Sequence, residues 1–294
     1  MTSSLQLRSF AKINWTLDVL YKRDDGFHEL RTIYQTVSLH DTIKLNSTSG
    51  EIQVICDDPR VPAGETNLAH KAAIALREAT GTGAGVRIEI QKRIPVAGGL
   101  GGGSSNAAAT LMGLVRLWGL KVAEVELLEL GAGLGSDVPL FLIGGTLLGV
   151  GRGEEVYPIE QCESRDIALV NPGVEVSTAE AYTRLSRLTM HRGALTMPFA
   201  LLAAKGIREL PLRVRNDLED AVLPAHPEIA EVKRRLLSTG ARPALMSGSG
   251  ATVYGVFDNS VTLKQALAEM RGLGFWAEGV RTINRQEYQR TIFE

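Results

Sequence analysis

The segment Pro95-Val96-Ala97-Gly98-Gly99-Leu100-Gly101-Gly102-Gly103-Ser104-Ser105-Asn106 constrains this chain more than any other. Five of its residues are glycine, two hydroxyls and an amide follow, and Ala107 to Leu117 reads as a helix of small and apolar residues. Glycines let a backbone approach a ligand closely and turn several N–H groups toward one point. A helix starting there adds its free N–H groups and the positive end of its dipole. The product is an anion cradle, and phosphate is the anion it suits. A Walker A loop requires lysine after the second glycine. Gly98 and Gly103 have the right separation, but Ser104 stands where the lysine belongs. The dinucleotide pattern GxGxxG also fails in strict form, because Gly99-Leu100-Gly101 is followed by Gly102, Gly103 and Ser104. What remains is a loop that holds phosphates by main-chain N–H groups, with serines near a metal ion. A surface linker is the alternative, but linkers do not run straight into an alanine-rich helix.

The 294 residues are 44% hydrophobic and 22% charged, enough for a sizeable core and one or two domains. With 32 Lys and Arg against 33 Asp and Glu, no basic field invites nucleic acid. Cys56 and Cys162 lack metal-site spacing and are too few for a disulfide framework. The first residues carry no charged-then-apolar signal pattern, and the apolar run from Val138 to Val150 is broken by glycines. These features predict a cytoplasmic protein without a membrane anchor. Oligomeric state is open.

Alternation and breaker residues predict strands at Leu5–Phe10, Ile13–Tyr21, Thr32–Leu39, Thr42–Leu45, Ile52–Cys56, Val86–Gln91 and Thr146–Val150. Helices are predicted at Leu68–Ala79, behind the glycine loop, and near Val122–Leu130. A boundary near Ser164 divides the chain into residues 1–163 and 164–294. The second part reads as a strand at Ile167–Val170 and a helix at Thr178–Leu185, opened by the capping box Ser177-x-x-Glu180. Helices at Phe199–Lys205, Glu228–Ser238 and Leu263–Arg271 follow, with a hairpin at Gly248–Gly250 and a strand at Trp276–Val280. Strands and helices mix without strict alternation, which predicts an α+β fold.

Four further segments carry chemistry-bearing residues. Lys12 and Asn14 share one face of an alternating strand, where a lysine is ordinarily solvated. His28 follows the turn Asp25-Gly26-Phe27, a position usual for an exposed histidine. Asp137 sits in a small-residue turn, where an aspartate can simply cap a helix. Thr178 and Tyr182 are one helical turn apart, and Tyr182 reads equally well as a core aromatic.

Together these segments resemble the motifs of the GHMP kinases. Pro95 to Ala108 is similar to that family's Pro-x-x-x-Gly-Leu-Gly-Ser-Ser-Ala/Asn. Phe10-Ala11-Lys12-Ile13-Asn14 resembles its Ala-Lys-Ile/Leu-Asn, Leu134-Gly135-Ser136-Asp137-Val138-Pro139 its Gly-Ala/Ser-Asp-Val-Pro, and Met246 to Phe257 its third motif. The segment Asp25-Gly26-Phe27-His28-Glu29-Leu30-Arg31-Thr32 resembles the branch acting on 4-diphosphocytidyl-2-C-methyl-erythritol, with Phe27 in place of a tyrosine. A phenylalanine keeps the stacking face and loses the phenol.

The resemblance implies a two-domain fold with the active site in the cleft between domains. It implies a small-molecule kinase that uses ATP and Mg²⁺ to phosphorylate the 2-hydroxyl of that cytidylated methylerythritol in isoprenoid precursor synthesis. Lys12 and Asp137 would be the catalytic pair. Pro95, Gly98, Gly99, Leu100, Gly101, Gly102, Gly103, Ser104 and Ser105 would hold the ATP phosphates, with Asn67 and Lys92 at the adenine. Asn14, Phe27, His28, Thr178 and Tyr182 would hold the acceptor, with the cytosine between Tyr182 and Phe27 or His28. The metal ligands are not identified. Homoserine, mevalonate and galactose kinases share the phosphate loop, and a non-catalytic nucleotide-binding relative would lack the Lys/Asp pair.

Overall fold

A computed structural model of the chain describes residues 4–188 and 214–293. The expected helix Phe199–Lys205 lies outside the described residues. Two strands dominate the first lobe, β1 (Ser4–Lys22) and β2 (His28–Thr48), paired antiparallel along their whole length. The sequence predicts four shorter strands here. Register shifts at Phe10/Ala11, Asn14/Thr16 and Val19/Tyr21 explain the difference. Each bulge breaks the alternation locally and mimics a strand end, while the hydrogen-bonded ladder continues.

The other edge of β2 is shared between two partners. Thr42–Thr48 pairs with β4 (Gly85–Gln91), and Leu30–Gln35 pairs with β5 (Thr146–Gly151). Parallel β3 (Ile52–Cys56) and antiparallel β6 (Glu155–Pro158), a strand absent from the sequence reading, complete a six-stranded sheet. Helices α1 (Leu68–Thr80), α2 (Gly102–Leu117), α3 (Glu124–Leu134) and α4 (Val138–Ile143) bury their apolar faces in one core with this sheet. Asn67 caps α1 by accepting the Ala69 N–H at 2.8 Å, and Gly81 ends it in the left-handed region. Helix α2 begins at Gly102, earlier than the alanine run suggests. Gly101 takes φ 71°, and Gly102 and Gly103 form its first turn without a side-chain cap.

The second sheet is antiparallel, in the order β10–β7–β9–β8, from β7 (Asp166–Asn171), β8 (Ala244–Met246), β9 (Val253–Phe257) and β10 (Trp276–Arg281). Alternation along β7 divides its side chains cleanly. Ala168 and Val170 join a core with α7 (Pro227–Ser238) and α8 (Ser260–Gly272) through Ile229, Val232, Leu263 and Leu267. Ile167 and Leu169 point the other way, into a cluster with Ala11, Ile13, Trp15 and Ile33 of the first lobe. Trp15 meets Tyr254 edge-on with ring centroids 5.6 Å apart. The lobes therefore share a packed core, which fixes the cleft between them.

Helix α5 (Thr178–Leu188) starts where expected, with only half of the capping box. Ser177 Oγ accepts the Glu180 N–H at 3.3 Å, while the Glu180 carboxylate turns to Arg184 at 2.6 Å. Between α5 and α7 lies the short α6 (Glu219–Val222). The final helix, α9 (Arg285–Thr291), has no counterpart among the elements the sequence predicts, and it returns to the first lobe. Its Tyr288 packs with Phe10, Ile283 and Ile292 and donates to the Phe141 carbonyl. Among the described residues, no helix is long and apolar enough to cross a membrane.

Candidate active site

The glycine loop joins β4 to α2 and walls two cavities. One is a cleft of about 910 Å³ whose lining includes Lys12, Asn14, His28, Asp137, Thr178 and Tyr182. The other, about 340 Å³, is lined by Asn67, Lys92, Pro95 and the loop from Val96 to Ser104. Gly99, Gly101 and Ser104 face both. Two glycines are dictated by geometry. Gly99 has φ 74°, and a Cβ there would strike the Ser247 carbonyl oxygen. Gly101 has φ 71°, and its Cβ would sit 2.8 Å from the Phe141 ring and 3.1 Å from Lys12 Cγ. With no cap at the start of α2, the N–H groups of its first turn have no intrahelical acceptor.

The second lobe closes on this loop. Ser247 Oγ donates to the Gly99 carbonyl at 2.9 Å, and the Thr252 N–H donates to Gly98 O at 3.2 Å. Asn171 Nδ2 donates to Thr252 Oγ1 at 3.0 Å behind it. The second lobe thus takes up the carbonyls of Gly98 and Gly99, leaving the loop amides for a ligand.

Lys12 threads between the two turns. Its side chain is 4% exposed, so the solvated reading of a strand lysine does not hold. Its Nζ donates to Asn14 Oδ1 at 2.8 Å and lies 3.4 Å from Asp137 Oδ2. Asn14 is held in turn by donating to Thr32 Oγ1 at 2.7 Å, which donates to the Thr16 carbonyl at 2.7 Å. Asp137 stands at the start of α4 but makes no side-chain cap bond there. Its carboxylate faces Lys12 through one oxygen and accepts from the Tyr34 hydroxyl at 3.2 Å through the other.

At the acceptor side, His28 and Tyr182 stack directly, with centroids 5.1 Å apart and planes 22° apart. Parallel rings enclosing a third would stand about 7 Å apart, twice the usual carbon contact, so a base inserted between them must part this pair. Phe27 is 53% exposed at the rim, and the Arg152 guanidinium lies 4.8 Å over its ring. Thr178 and Ser249 hydroxyls share a 2.8 Å hydrogen bond, tying α5 to the Ser247–Gly250 turn. Burial pushes the Tyr182 phenol far above its ordinary range, helped by the nearby Asp137 charge. Burial, and then Lys22, push the His28 imidazole below its ordinary range.

Three residues expected at the nucleotide, Ser105 at the phosphates and Lys92 and Asn67 at the adenine, have structural partners. Ser105 is buried, and its hydroxyl accepts from Ser9 Oγ at 2.8 Å behind the loop. Of the paired serines, only Ser104 lines the cavities. Lys92 donates to Asp41 Oδ2 at 2.6 Å and to Ile94 O at 2.7 Å. Asp41 is fully buried and also accepts the N–H groups of Arg93 and Ile94, each at 2.8 Å. This pair braces the base of the loop. Asn67 spends its amide on the α1 cap and on donating to Pro62 O at 2.7 Å.

The sequence reading missed Tyr34, Asp41 and Arg152. Tyr34 pairs with Asn14 across the β1–β2 hairpin. That register is the signal that places it beside the site, and the bulges hide it.

A glycine-built helix start, a buried lysine–carboxylate pair and a second lobe clamped on the loop make a two-lobed phosphotransferase cleft. Comparison with known proteins gives the same class. Residues 67–145 match the GHMP kinases N terminal domain, and residues 200–274 match the GHMP kinases C terminal domain. A 4-diphosphocytidyl-2-C-methyl-D-erythritol kinase of Geobacter sulfurreducens is 43% identical over 95% of this chain and 99% of its own length. One of Caldanaerobacter subterraneus is 39% identical over 96% and 98%. A crystal structure of 4-(cytidine 5'-diphospho)-2C-methyl-D-erythritol kinase superposes with a TM-score of 0.82 at 32% identity, covering 95% of this chain and all of that one. Homoserine kinase from Cytophaga hutchinsonii, at 21% identity and a TM-score of 0.72, shares the fold. The chain belongs to the 4-diphosphocytidyl-2-C-methyl-D-erythritol kinase family of the GHMP kinases.

Proposed function

We propose that the protein transfers the γ-phosphoryl group of ATP to the 2-hydroxyl of 4-diphosphocytidyl-2-C-methyl-D-erythritol. The observation that carries this reading is one cleft lined at once by the phosphate loop, the Lys12–Asp137 pair and the His28–Tyr182 ring pair. A kinase acting on a small alcohol needs the first two features. A recognised base gives the third a purpose.

In this reading the first-turn amides of α2 hold the triphosphate, and Lys12 supplies the cation the loop lacks. Asp137 accepts the acceptor's hydroxyl proton as its oxygen bonds to the γ-phosphorus. The bond from that phosphorus to the β–γ bridging oxygen breaks, and ADP leaves with the electron pair. Such transfers develop charge on the moving group's oxygens, so position and electrostatics supply most of the rate. Asn14 and Thr178 hold the methylerythritol end, and His28 and Tyr182 take the cytosine.

Among the described residues, no three His, Cys, Asp or Glu side chains gather as a metal cage. Mg²⁺ prefers phosphate oxygens, water and one or two protein ligands. Ser104, which lines both cavities, is the side chain that would hold it beside the phosphate oxygens. When bound, the ion neutralises phosphate charge.

A coupled ADP-release assay on a panel of alcohols tests the proposal. Turnover is expected with the cytidylated methylerythritol and not with mevalonate, homoserine or galactose. Turnover of one of those three, without the cytidylated substrate, would refute it.

A further inference from the structure

We propose that Tyr34 is a positioning residue for phosphoryl transfer, orienting the Asp137 carboxylate through its hydroxyl. The inference rests on the catalytic reading of Asp137. Asp137 Oδ2 is fixed by Lys12 at 3.4 Å, but an ion pair to an ammonium is nondirectional and leaves the carboxylate free to rotate. The Tyr34 hydroxyl, donating to Oδ1 at 3.2 Å, supplies the second point that defines its plane. The same Tyr34 ring lies beneath the Lys12 ammonium, with Nζ 5.6 Å from its centroid. One side chain thus touches both members of the pair.

The position is built to hold this ring. Tyr34 is 3% exposed in the middle of β2. A Cβ at Gly149 on neighbouring β5 would meet Tyr34 Cε2 at 2.5 Å, and one at Gly153, in the turn after β5, would strike the hydroxyl itself. Both neighbours are therefore glycine where the ring must pass. The hydroxyl also lies 3.4 Å from the Gly153 carbonyl. One proton faces two acceptors, so Gly153 O keeps the phenol in place while the carboxylate takes up and releases a proton. Burial, and then the Asp137 charge, push the phenol well above its ordinary range.

The test is a double-mutant cycle of Tyr34→Phe and Asp137→Asn. Tyr34→Phe keeps the ring and its packing, and is expected to lower kcat about 10- to 100-fold, a hydrogen bond to a charged group. Both KM values should stay within about twofold. In the Asp137→Asn background, Tyr34→Phe should cost no further rate, because the group it orients is gone. Additive losses, an unchanged kcat, or KM values rising together with a lowered Tm would overturn the inference. The cycle is read on the best alcohol of the panel and on slow ATP hydrolysis without acceptor. A wrong acceptor assignment therefore leaves the Tyr34–Asp137 coupling measurable.

Discussion

The Lys12 ammonium and the Asp137 carboxylate lie 3.4 Å apart in the interlobe cleft, one carried by the first strand and the other by the start of α4. Neither follows its common structural use. The lysine is buried, and the aspartate caps nothing.

Replacing Asp137 by Asn keeps the shape and removes the proton acceptor. Turnover should fall by about 10²–10⁴, the usual worth of a positioned general base. The KM for ATP should stay near its starting value. A variant with full turnover would place the base elsewhere.

Gly99→Ala tests the loop. The new methyl would occupy a left-handed backbone position and meet the Gly250 carbonyl oxygen at 2.8 Å. Left-handed strain alone is worth about 1–2 kcal/mol, or about tenfold in an affinity. We expect ATP affinity to drop at least that far by calorimetry, with a lowered Tm. An unaffected affinity would show that the phosphates do not rest on this turn.

His28 links recognition to pH. Its imidazole sits below the ordinary value of about 6.5, first through burial and then through Lys22. The folded site therefore favours the neutral ring. Its contribution is complete above that ordinary value and is lost as pH falls through the lowered one. The KM for the cytidylated acceptor should be flat near neutrality and rise in acid, while the KM for ATP stays level. His28→Ala should raise acceptor KM about 2- to 10-fold through lost stacking and abolish the acid rise. Parallel changes for both substrates would point to a general loss of structure.

Lys92→Met leaves Asp41 buried without its cation. Breaking a buried pair in this way costs about 3–5 kcal/mol. Urea unfolding should register that loss, and it should exceed any change in ATP affinity among molecules that remain folded. The reverse order, with intact stability and lost ATP binding, would make Lys92 a nucleotide ligand rather than a brace.

The phosphate loop was legible in the sequence because glycine content, a following helix and two serines are local signals. The alternation around Lys12 was legible for the same reason. Tyr34 was not, because its place depends on the pairing of β1 with β2 through three register shifts. The roles of Ser104 and Ser105 were also hidden. They are adjacent in sequence, yet the helical turn sends one hydroxyl to the cavities and the other to Ser9. Helix α9 carries no apolar period in the sequence, because its short polar stretch buries only Tyr288.

The most direct test is a crystal structure with a non-hydrolysable ATP analogue and the cytidylated methylerythritol. The account predicts the triphosphate on the amides that open α2, the acceptor's 2-hydroxyl within hydrogen-bond reach of Asp137, and the cytosine against His28 and Tyr182. An acceptor hydroxyl bound far from Asp137, or a triphosphate seated away from residues 99–104, would contradict it.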